Sequence, residues 1–299
     1  MIAVFHSGRG RVRLPEGHPF PIEKYQMVRQ RLLDEGIVER AQLKQSQPVD
    51  PRILELVHSR DYLDRVFKGE LSGDELRRLG LPWSEGLVLR ASAAVGGTIE
   101  AAWAALEEGI GANLGGGTHH AFPDRGEAFC IFNDIAVAVR LLQQQKVVKK
   151  IAIIDLDVHQ GDGTAAIFRY DPGVLILAIY CEDNFPPKKI ETDIGVGLPE
   201  GTGDEQYLGQ LEQHLPRVLK FRPEVIFYQA GVDPLEEDAL GQLSLSHLGL
   251  KERDRMVLRA CKEGGIPAVI TLGGGYARPI TPTVEAHLNT FRAARELFG

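Results

Sequence analysis

The chain has few cysteines. Cys130, Cys181 and Cys261 are odd in number, scattered, and without the paired spacing of a metal knuckle. That excludes a disulfide framework and a thiolate zinc module, and reduced thiols are the simplest account. No apolar run approaches the length of a membrane span. Met1–Phe5 is too brief for a signal peptide before His6-Ser7-Gly8-Arg9 interrupts it, so a cytoplasmic protein is expected. Positive charge is not in surplus either. The net charge is −7, which argues against nucleic acid or an anionic membrane as a partner but leaves a basic protein tail open as substrate. The small cluster Gly8-Arg9-Gly10-Arg11 reads as a solvated basic loop rather than a phosphate site. Linkers, internal repeats and low-complexity segments are also missing. With 299 residues available for a large core, one domain over residues 1–299 is the economical reading.

What is present is an alternation of elements. Ile2–Phe5 reads as a first strand. Helices are expected at Ile22–Glu35, at Pro51–Val57, after a cap at Asp61, at Ser72–Leu79 with a Ser72/Glu75 capping box, and at Ser84–Glu108. Gly96-Gly97 within the last of these implies close packing, since each mid-helix glycine costs about 1 kcal/mol against alanine. Further strands are expected at Ala112–Leu114, Ile151–Asp157, Val174–Tyr180, Val225–Gln229 and Ala268–Leu272. Helices are expected between and after them at Asp134–Gln145, Ala165–Arg169, Glu205–Leu219, Leu248–Glu263 and Thr283–Leu297. Such alternation predicts an α/β fold, a doubly wound parallel sheet with helices on both faces.

The stretch Ile151–Thr164 carries the strongest signal. An apolar run is followed by Asp155, Asp157 and His159 at a spacing of two, and extended backbone would turn these three to one side. Two carboxylates and an imidazole converging there are costly to desolvate, and a divalent cation would offset that cost. Gly161-Asp162-Gly163 then lets the chain leave the sheet and begin a helix near Thr164.

Ligands in such folds bind beyond the carboxyl ends of strands. Three other expected strands end in glycine-punctuated polar runs: Gly115-Gly116-Gly117-Thr118-His119-His120, Ala230-Gly231-Val232-Asp233 and Gly273-Gly274-Gly275-Tyr276. Asp157, His159 and Asp233 can make a site with three protein ligands and an open position, the arrangement of a catalytic metal. His119 and His120 suit proton transfer, with Asp155 and Asp162 free to orient one imidazole each. Tyr276 can donate to a developing oxyanion, and the three glycines before it read as a pliable hinge. The chemistry described is metal-assisted amide hydrolysis.

Taken in order, Asp-Leu-Asp-Val-His-Gln-Gly-Asp-Gly, Gly-Gly-Gly-Thr-His-His, Ala-Gly-Val-Asp and Gly-Gly-Gly-Tyr resemble the zinc-dependent histone deacetylases of the arginase/deacetylase superfamily. The likeness runs from His18-Pro19-Phe20 and Val57-His58-Ser59, through Arg125-Gly126 and Phe129-Cys130, to Leu243-Ser244-Leu245-Ser246. His159-Gln160, where most classes have two histidines, is similar to class IV and its bacterial relatives. The resemblance implies an open sheet of about eight mainly parallel strands and hydrolysis of an acylated lysine or similar amine. It implies Zn(2+) on Asp157, His159 and Asp233, and a structural K(+) on the backbone from Asp155 to His159. It makes His120 with Asp162 the general base and then acid, His119 with Asp155 the electrostatic imidazole, and Tyr276 the oxyanion donor. Phe129 becomes a wall of a lysine tunnel, with Phe185 and Leu240 as weaker matches and Gly274 as a further substrate-binding position. Ala128 stands where relatives carry glycine, and Thr118 replaces a bulkier residue. Tyr180–Lys189 departs from the major classes.

Two carboxylates and a histidine form a harder ligand set than thiolates, so Fe(2+) is compatible with it. The same machinery would serve acylated polyamines or other small amines. A binuclear manganese hydrolase would need further bridging aspartates, and a non-catalytic acyl-lysine binder would be expected to lack a ligand or the tyrosine.

Overall fold

The computed structural model describes residues 2–8 and 12–299, so most of the basic cluster at Gly8-Arg9-Gly10-Arg11 lies outside the described residues. In chain order the elements are β1 (Ala3–His6), α1 (Lys24–Asp34), β2 (Leu43–Gln45), α2 (Pro51–Leu54), α3 (Arg60–Lys68), α4 (Gly73–Leu79), α5 (Glu85–Glu108), β3 (Ile110–Asn113), α6 (Asp134–Gln144), β4 (Ile151–Asp155), α7 (Asp162–Phe168), β5 (Val174–Cys181), β6 (Ile194–Leu198), α8 (Asp204–Lys220), β7 (Val225–Gln229), α9 (His247–Gly264), β8 (Ala268–Thr271) and α10 (Thr281–Phe298). The strands form one sheet in the order β2-β1-β3-β8-β7-β4-β5-β6. Every neighbouring pair is parallel. This is the expected open α/β sheet, with eight strands.

Strand pleating divides the core. Ile151 and Ile153 of β4 pack with Ile135 of α6, Ala101 of α5 and Phe168 of α7. Ala152 and Ile154 turn to the opposite face, where Leu32 of α1, Leu211 of α8, Val257 of α9 and Phe291 of α10 cover them. The strands are buried on both sides, which is why they read as continuous apolar runs. A third cluster, including Leu54, Tyr62, Val66, Leu79 and Phe132, lies under α2, α3 and α4.

Local chemistry accounts for the element ends. Ser72 and Glu75 form a reciprocal capping box at α4. The α3 cap is Ser59, whose side chain accepts from the Tyr62 N–H, and Asp61 sits instead in the first turn. There its charge faces the positive end of the helix dipole. Gly96 of α5 packs as its position implied: a Cβ there would lie 2.0 Å from the Gln47 carbonyl oxygen. Two differences concern β4 and the helix after it. The strand ends at Asp155, because the Asp155 and Asp157 carboxylates accept the N–H groups of Asp157 and His159 and bend the chain. Helix α7 starts earlier than expected, at Asp162.

All strands point the same way, so all carboxyl ends share one edge of the sheet. The strands carrying the four polar runs are β3, β8, β7 and β4, consecutive neighbours in the sheet order. The motifs are dispersed over more than 150 residues of chain, but the topology sets them side by side.

Candidate functional site

Asp157, His159 and Asp233 lie buried at that edge with one potential ligand atom from each within 4.8 Å of the others. The Nδ1 atom of His159 is 3.0 Å from Asp157 Oδ1 and 3.2 Å from Asp233 Oδ2. Asp233 Oδ1 accepts the Val158 N–H at 2.9 Å, while its buried Oδ2 has no hydrogen-bond partner among the described residues. A buried carboxylate oxygen without a donor is costly. In the metal-free chain, burial alone would lower the His159 pKa, but Asp157 and Asp233 outweigh it and hold it at about 10. Burial and the Asp157 charge push Asp233 up to about 7. The imidazolium proton therefore stands where a divalent cation would satisfy both carboxylates. The residues present fit such an ion.

The remaining carboxylates meet the two histidines from β3's extension. His119 Nδ1 is 2.7 Å from Asp155 Oδ2, and its Nε2 is 3.9 Å from Asp157 Oδ1. His120 Nδ1 is 2.7 Å from Asp162 Oδ1, the first residue of α7. The two rings are 4.1 Å apart yet titrate oppositely. Burial would depress His119, but Asp155 and Asp157 raise it to about 9. Burial and then the His119 charge lower His120 to about 4, against the opposing pull of Asp162. The bend after β4 thus separates residues that an extended strand would have placed together: Asp155 serves His119, while Asp157 and His159 face Asp233.

Tyr276 presents its ring 6.3 Å from His159 and 6.1 Å from Phe129. Burial and the Asp233 and Asp157 charges push its phenol pKa well up, so the hydroxyl remains a donor. The expected hinge before it is instead a tightly held loop. The Gly274 N–H donates to Asp157 Oδ2, and its carbonyl accepts from Val232. A Cβ at Gly274 would sit 1.9 Å from Asp233 Oδ2. Close approach to the carboxylates, rather than flexibility, is what requires glycine there.

Phe185 is half-buried, with its ring edge-on to His120 at 5.0 Å and to His159 at 6.4 Å. Phe129 packs against Phe20 at 5.3 Å and His18 at 6.0 Å on the other side. Ala128 and Phe129 both adopt positive φ, 44° and 67°. The backbone shows why glycine suits position 128, since alanine there costs about 1–2 kcal/mol. Leu240 lies further out, lining with Pro19, Tyr276 and Arg278 a surface cavity of about 190 Å³. Gln160 exchanges two hydrogen bonds with the backbone of Ile190, fixing the segment that carries Phe185.

Several residues at the site were not apparent from the motifs. Lys24 of α1 is wholly buried, and its Nζ donates to the carbonyls of Gly273 (3.0 Å) and Gly275 (3.2 Å). Asp238 accepts from the backbone N–H groups of Tyr276, Leu240 and Gly241. Asp134, at the start of α6, accepts from the N–H groups of Gly117 and Thr118, and Thr118 adds its hydroxyl. Gln229 donates to Asp157 Oδ2. The Asn133-Asp134 helix start was the one available signal; the others resemble ordinary helix or loop polar residues.

The histone deacetylase domain matches residues 18–291. The chain is 46% identical to an uncharacterized protein of Picosynechococcus sp. over 95% of each chain. It is 32% identical to histone deacetylase 2 of Arabidopsis thaliana, over 90% of this chain and 73% of that one. The crystal structure of an HDAC homolog complexed with SAHA superposes with a TM-score of 0.81 at 28% identity, covering 100% of this chain and 84% of that one.

Proposed function

The chain belongs to the histone deacetylase family, and from that premise we propose that residues 1–299 form one catalytic domain, a metal-dependent hydrolase that removes an acetyl or other acyl group from acyl-lysine. The observation that carries this is the buried Asp157, His159 and Asp233 group, flanked by the His119–Asp155 and His120–Asp162 pairs at one sheet edge. Zn(2+), or Fe(2+), bound by the three residues would polarise the acyl carbonyl and acidify a water.

His120 is the proton carrier. Its Nδ1 is committed to Asp162, and its Nε2 has no partner among the described residues, so that nitrogen takes the proton of the attacking water and returns it to the leaving amine. Neutral His120 is ready to accept; His119, charged between Asp155 and Asp157, is not. His119 supplies positive charge instead. The Tyr276 hydroxyl donates to the oxyanion as it forms. Phe129 and Phe185 flank the lysine stem, with Gly274 beneath and Leu240 at the mouth. A structural K(+) fits the bend from Asp155 to His159, because the carbonyls of Asp157 and His159 receive no donor among the described residues.

The test is an assay of metal-loaded protein on acyl-lysine peptides and acylated polyamines of increasing acyl length, alongside Asp233→Ala. Hydrolysis of the peptides, with activity and stoichiometric metal both lost in Asp233→Ala, is expected. Turnover of the polyamines alone would move the substrate to small amines, and stoichiometric zinc in Asp233→Ala would remove that residue from the site.

A further inference from the structure

Arg253 and Asp254 of α9 form an ion pair with 0% exposure on both side chains. A buried ion pair carries a desolvation cost that its own attraction barely offsets, and apolar residues of similar volume often serve stability as well or better. Stability alone is therefore a weak reason for this pair, and the direction of the guanidinium supplies a better one. Nε and Nη2 donate to Asp254 Oδ1 at 2.9 and 2.8 Å. Nη1 donates to the carbonyl oxygens of Gly231 at 2.6 Å and Leu156 at 3.1 Å. The Asp254 carboxylate is held in turn by the hydroxyls of Tyr228 and Thr290, and Tyr207 of α8 adds a 3.4 Å contact to the Leu156 carbonyl.

Those two carbonyls mark the point where the sheet stops. The ladder between β4 and β7 ends with Asp155 opposite Gln229, followed by one last bond from Leu156 N–H to the Gln229 carbonyl. Beyond it the two segments part, one carrying Asp157 and His159, the other Asp233. Leu156 adjoins Asp157, and Gly231 precedes Asp233 by two residues. One guanidinium therefore spans the gap where the ladder no longer does. The Val158 N–H, donating to Asp233 Oδ1, adds a second link across it.

We infer that Arg253 is a positioning residue for the metal site: its clamp on the Leu156 and Gly231 carbonyls sets the separation of Asp157 and Asp233, and through it the affinity for the ion. The consequence for turnover rests on the amide-hydrolase reading, but the consequence for metal binding does not.

The experiment uses the full chain and two variants. Arg253→Lys keeps the charge but cannot hold both carbonyls and Asp254 in one plane. Arg253→Met with Asp254→Asn removes both charges, so neither is left buried alone. Metal-free melting temperature, Zn(2+) affinity by competition with a chromophoric chelator, and the absorption spectrum of the Co(2+) form are measured for each. The double variant should melt within a few degrees of wild type, bind Zn(2+) about 10- to 100-fold more weakly, and show an altered Co(2+) spectrum, as expected when an outer support of ligands is removed. Arg253→Lys should shift affinity in the same direction, and it carries the test if the double variant does not fold. Wild-type affinity and spectrum in Arg253→Lys and in any folded double variant, with melting alone lowered, would overturn the inference. Wild-type protein that binds metal but cleaves no acyl amide would defeat the proposed function and leave this result standing.

Discussion

His119 and His120 are adjacent in sequence and 4.1 Å apart as rings, yet their surroundings give them opposite charge states. The difference is a count of carboxylates: His119 faces Asp155 and Asp157, whereas His120 has Asp162 and a charged neighbour. On the proposed mechanism, His120→Ala should reduce turnover of an unactivated acetyl-lysine peptide by about 10²- to 10⁴-fold with metal content unchanged. Equal turnover would end its assignment as proton carrier. Tyr276→Phe removes a donor and keeps the ring. Since the hydrogen bond strengthens as charge develops on the oxygen, the loss should fall on kcat, by about 10²- to 10³-fold, with KM and melting temperature little changed. A raised KM at normal kcat would make Tyr276 a wall of the binding site instead. Residues of this kind were legible in the sequence because each is a chemically distinctive side chain at a glycine-marked strand end. Lys24 and Arg253 were not, because they act on backbone groups of remote elements and leave no local pattern. Asp238 resembles an ordinary turn aspartate bonded to Leu240 and Gly241, and only its bond to the Tyr276 N–H is remote.

The elements that sequence patterning missed share a physical cause. Leu43-Lys44-Gln45 and Ile194-Gly195-Val196-Gly197-Leu198 form β2 and β6, the two edges of the sheet. Edge strands have one paired side and partial exposure, so β2 is mostly polar and β6 carries glycine at two of its five positions, and neither shows the apolar run of the interior strands. The fold class survived those omissions because interior strands and covering helices define it. The glycine loop before Tyr276 reads in sequence as a hinge for a related reason: pliability and close approach use the same residue. Two substitutions separate these uses. At Gly274 a methyl group would meet the Asp233 and Asp157 carboxylate oxygens at 1.9 and 2.8 Å. At Gly96 it would meet the Gln47 carbonyl oxygen at 2.0 Å, and its nearest neighbours, Gln47 and Val49, include none of the proposed metal ligands. Gly274→Ala should thus weaken metal binding by more than tenfold in a protein that still folds. Gly96→Ala should leave metal affinity intact and cost about 1–3 kcal/mol of stability through overpacking. Chelator competition and thermal melting distinguish them, and unchanged metal affinity in Gly274→Ala would restore the hinge.

At the scale of the whole molecule, the site depends on a cluster that contributes no catalytic group. The core under α2, α3 and α4 meets the sheet edge through His58, which is buried between the Phe122 carbonyl, 2.9 Å from its Nδ1, and the Asn133 N–H, 3.0 Å from its Nε2. Because Asn133 donates, Nε2 must accept, and the proton belongs on Nδ1. Asn133 in turn caps α6 and bonds to the Ala121 carbonyl and the Thr164 hydroxyl, bracing the segment that bears His119 and His120. A second proton on His58 would face the Asn133 N–H. Burial accordingly lowers its pKa from 6.5 to about 4. The unfolded chain takes up that proton below pH 6.5 and the folded one does not until about pH 4. This contribution to stability is therefore complete above pH 6.5 and falls as pH drops through that window, the loss reaching about 3 kcal/mol by pH 4. Other histidines titrate too, so the quantity to measure is a difference. Metal-free wild type and His58→Gln, unfolded by urea from pH 7 to pH 4, should converge in stability by about 3 kcal/mol as wild type loses what the variant never had. Parallel profiles would mean that His58 takes up its proton without unfolding, and that the bracing of the histidine segment does not rest on a neutral imidazole.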